Sequence, residues 1–406
     1  MNKKIHFIGI GGIGMSALAQ VYAAKGAQVS GSDIQESDIT RSLEKAGIQV
    51  FLQQKKENIS DHKLVIYSHA IDEENEELKA ARKQKIETIS YPEALGRLSE
   101  NYKLIAIAGT HGKSTTTAML ALILIEAGLD PSVVVGTKLK ELGGQNFRVG
   151  ESDILVIEAC EHKESFKNIQ PQILGITNIE PEHLDYYKTA ENYYKAFTDL
   201  KEKIKNNGGE VIENPSQINF ELQIPGEFNL ENASLAAAIA ERLEADQSSV
   251  KKALQGYTGS WRRMEKKDTK YPEILIDDYA HHPTEIRVTL GALRDENPDA
   301  KILCIFQPHQ YSRTYQFIEE FGESFREVDK VIIPNIYRVR DTEEDVQKVS
   351  PESLILQINE ISQNSEKVDG LEGAAKYVEE NHQDFDIIIT MGAGDITSIY
   401  SRFFSK

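Results

Sequence analysis

Short apolar runs alternate with longer, periodically apolar stretches along almost the whole chain. "KLIAIA" at 103–108 is an uninterrupted apolar run of the length that suits a strand buried on both faces. "TTTAMLALILIEAG" at 115–128 carries apolar residues at helical spacing and stops at Gly128. The chain opens the same way, with "KKIHFIGIGGIGMSALAQVYAAKGAQVSGSD" reading as strand, glycine turn, helix and a second strand that ends at Asp33. "DILVIEAC" and "QILGITNI" predict buried strands in the middle. "EILIDDYA", "AKILCIFQ", "KVIIPNI" and "DIIITMGAG" predict more in the last third, with helical stretches between them. Strands alternating with helices predict parallel α/β sheets. Three segments, 1–101, 102–257 and 258–406, each hold one such set and share no obvious period, so a repeat architecture is not expected.

Composition narrows the function more than the fold. A chain of 406 residues has room for two or three domains. Its formal net charge of −18 argues against a general nucleic-acid binder, because that affinity rests on Lys and Arg meeting phosphates. An anionic ligand must therefore be held by local features such as helix ends. The two cysteines, Cys160 and Cys304, give no disulfide framework. With no apolar leader and no apolar run of about 18 residues, a soluble cytoplasmic protein with no membrane partner is expected.

Two glycine turns carry the first candidate chemistry. "GTHGKST" at 109–115 follows one predicted strand and opens a helix. Its backbone N–H groups and the helix dipole would favour an anion, Lys113 would reach the outer phosphates of a nucleotide, and Ser114 would ligate Mg²⁺. The strict phosphate-loop pattern wants glycine at 107, where Ile107 stands. In the first turn, Gly9, Gly11 and Gly14 satisfy G-x-G-x-x-G and Asp33 sits near where a ribose-binding acid belongs. That supports a nicotinamide or flavin dinucleotide, although any nucleotide diphosphate can occupy such a helix end. Beyond the middle strands lie Glu158, Glu161, Asn178, Glu180 and His183. Ligands of open α/β sheets bind beyond the carboxyl ends of strands, which puts Glu158 and His183 in position to meet phosphates and metal. A surface glutamate and a loop histidine are the ordinary alternative.

Taken together, the motifs resemble the Mur ligase family, the ATP-dependent amide ligases that build the peptide stem of bacterial cell-wall precursors. "GTHGKST" is similar to that family's phosphate loop, which lacks the glycine at 107. "EACE" at 158–161, "TNIEPEHLDYY" at 177–187, "PGEFNLENASLAA" at 225–237, "WRRME" at 261–265 and "DDYAHHPTEI" at 277–286 follow in the family's order. The fold this implies is α/β in three domains: an N-terminal Rossmann-like UDP-binding domain (1–101), a central P-loop ATPase-like domain (102–257) and a C-terminal Rossmann-like domain that takes the amino acid (258–406). "HFIGIGGIGMSALA", "SHAI" and "FQPHQYSRT" at 306–314 resemble the branch that adds L-alanine to UDP-N-acetylmuramate. A branch that recycles an intact tripeptide onto the same UDP-sugar is the near alternative. In either case the glycine turn holds the diphosphate of a UDP-sugar, with no redox cofactor.

The resemblance also implies roles. ATP would lie on Gly109, Thr110, His111, Gly112, Lys113, Ser114 and Thr115, with Asn229 and Asn232 toward adenine, Asp278 near the ribose, and Arg262 or Arg263 approaching the phosphates. Mg²⁺ would be held by Ser114, Glu158 and His183. The UDP-sugar would meet Gly9, Gly11, Gly12, Gly14, Asp33, Ser68, His69 and His281, and the alanine carboxylate Arg313 and His309. The γ-phosphate of ATP would convert a carboxylate to an acyl phosphate for attack by the amine, so Lys113, Glu158, His183, His309 and Arg313 are the expected catalytic set. A monomer or homodimer is expected.

Three departures from the family pattern stand out. Phe228 replaces a common histidine, and Cys160 and Lys163 replace aspartates. "GGEVIENPSQINFELQI" between Asn207 and Pro225 replaces a region usually several times longer, so a shortened central domain is expected. Retained activity is one consequence; a homologue that binds nucleotide or UDP-sugar without turnover is another. A nicotinamide oxidoreductase would leave "GTHGKST" unexplained.

Overall fold

The computed structural model describes residues 3–339 and 341–403. Three sheets form, one from each run of alternating strands and helices. The first has β1 (Lys4–Ile8), β2 (Gln28–Ser32), β3 (Gln49–Phe51), β4 (Leu64–Tyr67) and β5 (Glu87–Ser90) in the order β3-β2-β1-β4-β5. Every pair is parallel. The chain leaves β1 toward one side for β2 and β3, then returns to the other side for β4 and β5. The reversal opens a crevice at the carboxyl end of β1, and the glycine turn occupies it.

The second sheet repeats this device. It contains β6 (Lys103–Ala108), β7 (Ser132–Leu139), β8 (Gln145–Arg148), β9 (Ile154–Glu158), β10 (Ile173–Ile176) and β11 (Glu210–Glu213), ordered β11-β10-β6-β9-β7-β8. Only β8 runs antiparallel. Here β6 lies between β9 and β10, and the second glycine turn follows it. The predicted run "KLIAIA" is β6, buried from Leu104 to Ala108, and the periodic stretch behind it is the helix Lys113–Glu126. After β11 no strand or helix intervenes before the helix at Glu227, among the described residues. This is the stretch expected to be short. It lies over a groove of about 640 Å³ lined by Ile218, Phe220, Glu241 and Val250.

The third sheet contains β12 (Glu265–Lys267), β13 (Ile274–Asp278), β14 (Ile302–Phe306), β15 (Lys330–Ile333), β16 (Ser365–Lys367) and β17 (Ile387–Met391), ordered β12-β13-β17-β14-β15-β16. Only β12 is antiparallel. Its two faces are covered by separate apolar clusters, one around Phe306, Phe321 and Phe325 and one around Leu303, Val378 and Tyr400.

Contacts divide the chain into two compact units. One contains the first two sheets and runs through Leu222, adding Leu230–Tyr257; the other contains Gln223–Asn229 and the chain from Thr258 onward. In the first unit one apolar cluster runs from Phe7 and Met15 through Leu104 to Phe197, and a smaller one gathers around Ile8, Val65 and Leu78. Polar pinning adds to it: Asn146 on β8 donates to Ile13 O at 2.6 Å, at the start of the first helix.

Candidate active site

The second glycine turn is built so that only glycine fits at its end. Gly112 has left-handed backbone (φ +80), and a Cβ there would lie 2.2 Å from Asn232 Oδ1. Asn232 in turn accepts from Thr116 Oγ1 at 3.1 Å, so the asparagine of the 225–237 motif packs against the loop. The turn is also tied to the segment after β10. Thr110 N donates to Asn178 O at 3.0 Å, His111 N to Asn178 Oδ1 at 3.0 Å, and Thr177 Oγ1 to His111 O at 2.5 Å. Thr110 Oγ1 donates to Glu180 O at 2.8 Å. Gly109 has φ +133 beside these residues. Ser114 and Thr115 follow as buried residues in the first turn of the helix.

Lys113 Nζ lies 2.6 Å from Gly109 O, 2.9 Å from Thr110 O and 2.9 Å from Glu161 Oε2. Burial pushes its ammonium down, but Glu161 outweighs that and holds the group above the usual lysine range. Glu161 is itself pushed up by burial and pulled below the carboxylate range by Lys113 and His183. His183 Nε2 is 3.5 Å from Glu161 and 3.8 Å from Glu182, and these three residues offer ligand atoms all within 4.8 Å of one another. His183 adopts left-handed backbone (φ +55), which turns the chain out of the loop into the short helix Leu184–Tyr187. Such strain concentrates at ligand clamps.

Glu158 faces elsewhere. At the end of β9 its Oε1 accepts from the Gly136 N–H of β7, and it is outside the three-residue group around His183. The acid beside Lys113 and His183 is Glu161, which the sequence placed nearby without a role. The two successive left-handed residues Lys163 (φ +51) and Glu164 (φ +54) lie just beyond. Aspartate tolerates that conformation better than lysine.

At the first glycine turn, Gly9 (φ +82) donates to Ser32 O at 2.8 Å. The helix Ile13–Ala24 starts at Gly12 with no side-chain cap and no acid in its first turn. Asp33, expected at a ribose, closes the turn: Oδ2 accepts from Gly11 N at 2.8 Å and Oδ1 from Ile34 N at 2.8 Å. Gly14 packs against Tyr91. Ser68, with His69 next to it after β4, stands against Gly9.

In the second unit the residues after β14 draw together. Arg313, 9 % exposed, donates from Nη1 to His309 O at 3.2 Å and lies 3.2 Å from His309 Nδ1. The His309 ring stacks on Tyr337 at 5.5 Å, and the His281 ring meets it edge-on at 5.8 Å. Asp341 accepts from Tyr311 N and Ser312 N at 3.1 and 3.0 Å, which fixes the start of the helix that carries Arg313. Asp278 accepts from Met264 N at 2.7 Å and Ala280 N at 2.8 Å; burial pushes its carboxyl up to about 6 although Arg263 pulls the other way. Arg262, expected at phosphates, is turned into its own sheet. It pairs with Asp277 at 3.2 Å and donates to the Gly392 and Gly394 carbonyls, leaving it 4 % exposed. Asn229, in the short segment of this unit, donates to Pro225 O at 2.5 Å.

Family models cover most of this architecture. Residues 4–103 match the Mur ligase family catalytic domain, 107–217 the Mur ligase middle domain, and 262–394 the Mur ligase glutamate ligase domain. The chain is 36 % identical over 451 aligned positions to the UDP-N-acetylmuramate–L-alanine ligase of Acetivibrio thermocellus, covering 99 % of this chain and 95 % of that one. It belongs to the Mur ligase family. The corresponding ligase of Clostridium acetobutylicum is 38 % identical over 454 positions, with 100 % and 98 % coverage. Both alignments run longer than the 406 residues of this Mur ligase, as a shortened chain requires. The crystal structure of UDP-N-acetylmuramate–alanine ligase from Thermotoga maritima superposes with a TM-score of 0.82 at 27 % identity, covering 98 % of each chain. A murein peptide ligase from Psychrobacter arcticus shares the fold, with a TM-score of 0.73, 22 % identity and coverage of 99 % and 98 %. The three-domain α/β Mur ligase fold is thus that of this chain.

Proposed function

We propose that this Mur ligase joins L-alanine to the carboxylate of UDP-N-acetylmuramate at the expense of ATP, in peptidoglycan precursor synthesis. The observation that carries the reading is the Arg313–His309–His281 grouping at the end of β14, on a chain related along its length to alanine-adding enzymes. A guanidinium with a fixed fork recognises a small carboxylate through two parallel hydrogen bonds, which a free amino acid offers. The likeness to the murein peptide ligase is one of fold alone.

Residues 1–101 take the UDP-sugar, its diphosphate on the start of the helix after Gly12. Residues 102–257 take ATP on the loop from Gly109 to Thr115, with Asn232 against it; residues 258–406 take alanine. Lys113 supplies the point charge for the outer phosphates, and phosphoryl transfer needs mainly such positioning and charge stabilisation. Asn229 and Asp278 serve the adenosine, as the family pattern implies. Of the two arginines of "WRRME", Arg262 is bound to Asp277 and two carbonyls, and Arg263 lies over the Tyr279 ring.

An oxygen-rich donor set suits Mg²⁺. By the family pattern Ser114, Glu158 and His183 would hold it, but Glu158 here accepts from Gly136 N, and the acids that lie beside His183 are Glu161 and Glu182. The cation would supply neutralisation of developing phosphate charge. The enzyme works as a monomer or homodimer in the cytoplasm; among the described residues no helix is long and apolar enough to cross a membrane. ADP release measured with UDP-N-acetylmuramate against each amino acid tests the whole reading. Alanine should give the fastest turnover, and release driven only by the tripeptide would replace this reading with the recycling one.

A further inference from the structure

Lys113 has no donor left over. An ammonium group has three N–H donors, and Gly109 O, Thr110 O and Glu161 account for them. The two carbonyls belong to the loop that carries the lysine, so they travel with it. Glu161 is held from the other side. Its backbone carbonyl accepts from Tyr187 OH at 2.5 Å and from Glu164 N at 2.8 Å, and its carboxylate faces His183 at 3.5 Å. A nucleotide phosphate that reaches Lys113 therefore competes with one partner above all, the single anion among the three.

We propose that Glu161 is a positioning residue: it parks Lys113 in the nucleotide-free enzyme and gives it up to the terminal phosphates, which makes binding of nucleotide without a divalent cation unfavourable. The inference rests on the ATP reading of the loop. When Lys113 leaves, a carboxylate only 2 % exposed is stranded next to incoming negative charge, a costly arrangement for a buried group. Its remaining neighbours are His183 and Glu182, whose ligand atoms lie within 4.8 Å of its own. Two carboxylates and an imidazole cannot neutralise a phosphate, whereas a divalent cation among them relieves both repulsions at once. Glu161 then acts as a gate that favours the cation-bound form of the nucleotide over the free form.

Equilibrium binding of ADP and of a non-hydrolysable ATP analogue, with EDTA and with Mg²⁺, reads this without turnover. Glu161→Gln removes the competing charge, so affinity in EDTA should rise about ten-fold, the worth of one charged hydrogen bond, and the advantage given by Mg²⁺ should shrink. Glu161→Asp, which withdraws the carboxylate by one methylene and keeps its charge, should tighten metal-free binding by less and retain most of the Mg²⁺ advantage. Thermal unfolding identifies folded variants, and Glu161→Asp carries the test alone if the glutamine variant fails to fold. Metal-free affinity that is unchanged or weaker in the folded variants overturns the proposal while the ATP reading stands. If the unaltered enzyme binds neither nucleotide under either condition, the ATP reading falls and takes the proposal with it.

Discussion

Replacing Gly112 by alanine tests whether the loop geometry, more than its composition, makes the nucleotide site. The backbone there is left-handed (φ +80), and forcing an alanine into it costs about 1 kcal/mol. The new Cβ would also lie 2.2 Å from Asn232 Oδ1. Asn232 must then swing aside and give up the 3.1 Å bond from Thr116, leaving a buried hydroxyl whose lost partner costs a further ~1–3 kcal/mol. Gly128, at the far end of the same helix, is the control: its φ is +73 and a Cβ there meets nothing within 4 Å, so Gly128→Ala should show only the backbone cost. The difference of about 2 kcal/mol should separate the two variants by roughly 4–8 °C in thermal midpoint. Gly112→Ala should also raise the ATP needed for half-maximal ADP release by about ten-fold or more, because moving Asn232 shifts the helix start that carries Lys113 and Ser114. Gly128→Ala should leave ATP dependence within about two-fold, since it lies a helix away from the phosphates. Equal melting losses, or an ATP requirement untouched in Gly112→Ala, would refute the reasoning.

Lys113→Ala should abolish turnover and also destabilise the protein by about 3 kcal/mol, because it leaves Glu161 as a buried carboxylate with no cation; near-normal ADP production would sink the loop assignment. Arg313→Lys should raise the alanine requirement about ten-fold and leave ATP and UDP-sugar constants nearly unchanged, since lysine lacks the planar fork. Saturation kinetics for all three substrates decide it, and a change confined to ATP would move Arg313 to the nucleotide side. Asp278, raised by burial to about 6, carries a stability penalty that is absent below its unfolded value and complete above its folded one. Wild-type stability relative to Asp278→Asn should therefore fall by about 3 kcal/mol between pH ~4 and ~7, read as diverging thermal midpoints; parallel profiles would show that Asp278 does not titrate there.

The apolar runs were legible because burial on both faces of a parallel strand leaves an unbroken signature. "KLIAIA" became β6 and "DIIITMGAG" ends β17 at Met391. The edge strands were not legible. β12 is Glu-Lys-Lys, a polar triplet that is a strand only because β13 lies beside it, and β8 owes its place to β7. The phosphate loop was readable from Gly-Lys-Ser, whose spacing is the mechanism itself. Partner choice among neighbouring polar residues was not. Glu158 and Glu161 are three residues apart in one motif, yet one accepts from Gly136 and the other meets Lys113 and His183. Arg262 and Arg263 are adjacent, and only the fold reveals that Arg262 is turned into its own sheet. Asp33 likewise sits where a ribose acid belongs and spends its carboxylate on Gly11 and Ile34. Side-chain direction at a turn depends on the turn's φ and ψ, which local pattern does not encode.

On the proposed reading, a chain of net charge −18 has to hold two anions, ATP and the UDP-sugar, and the carboxylate of a zwitterionic amino acid against its own field. The structure meets this separately in each sheet. The uncapped helix start after Gly12 lies at the end of β1, the Lys113 ammonium at the end of β6, and the Arg313 guanidinium beyond β14. Each lies past the carboxyl end of a strand that has neighbours on both sides, so helix dipoles and cationic groups converge where loops are free to vary. The acids are not spread evenly around these points. Asp33 and Asp341 are spent on backbone N–H groups that shape their loops, and Asp277 on Arg262. Glu161 and Glu182 form the exception: they lie beside His183, and Glu161 is paired with Lys113. The segment after β11 lies over a groove at the edge of the second sheet, away from Lys113, Glu161 and His183 in the order of its strands.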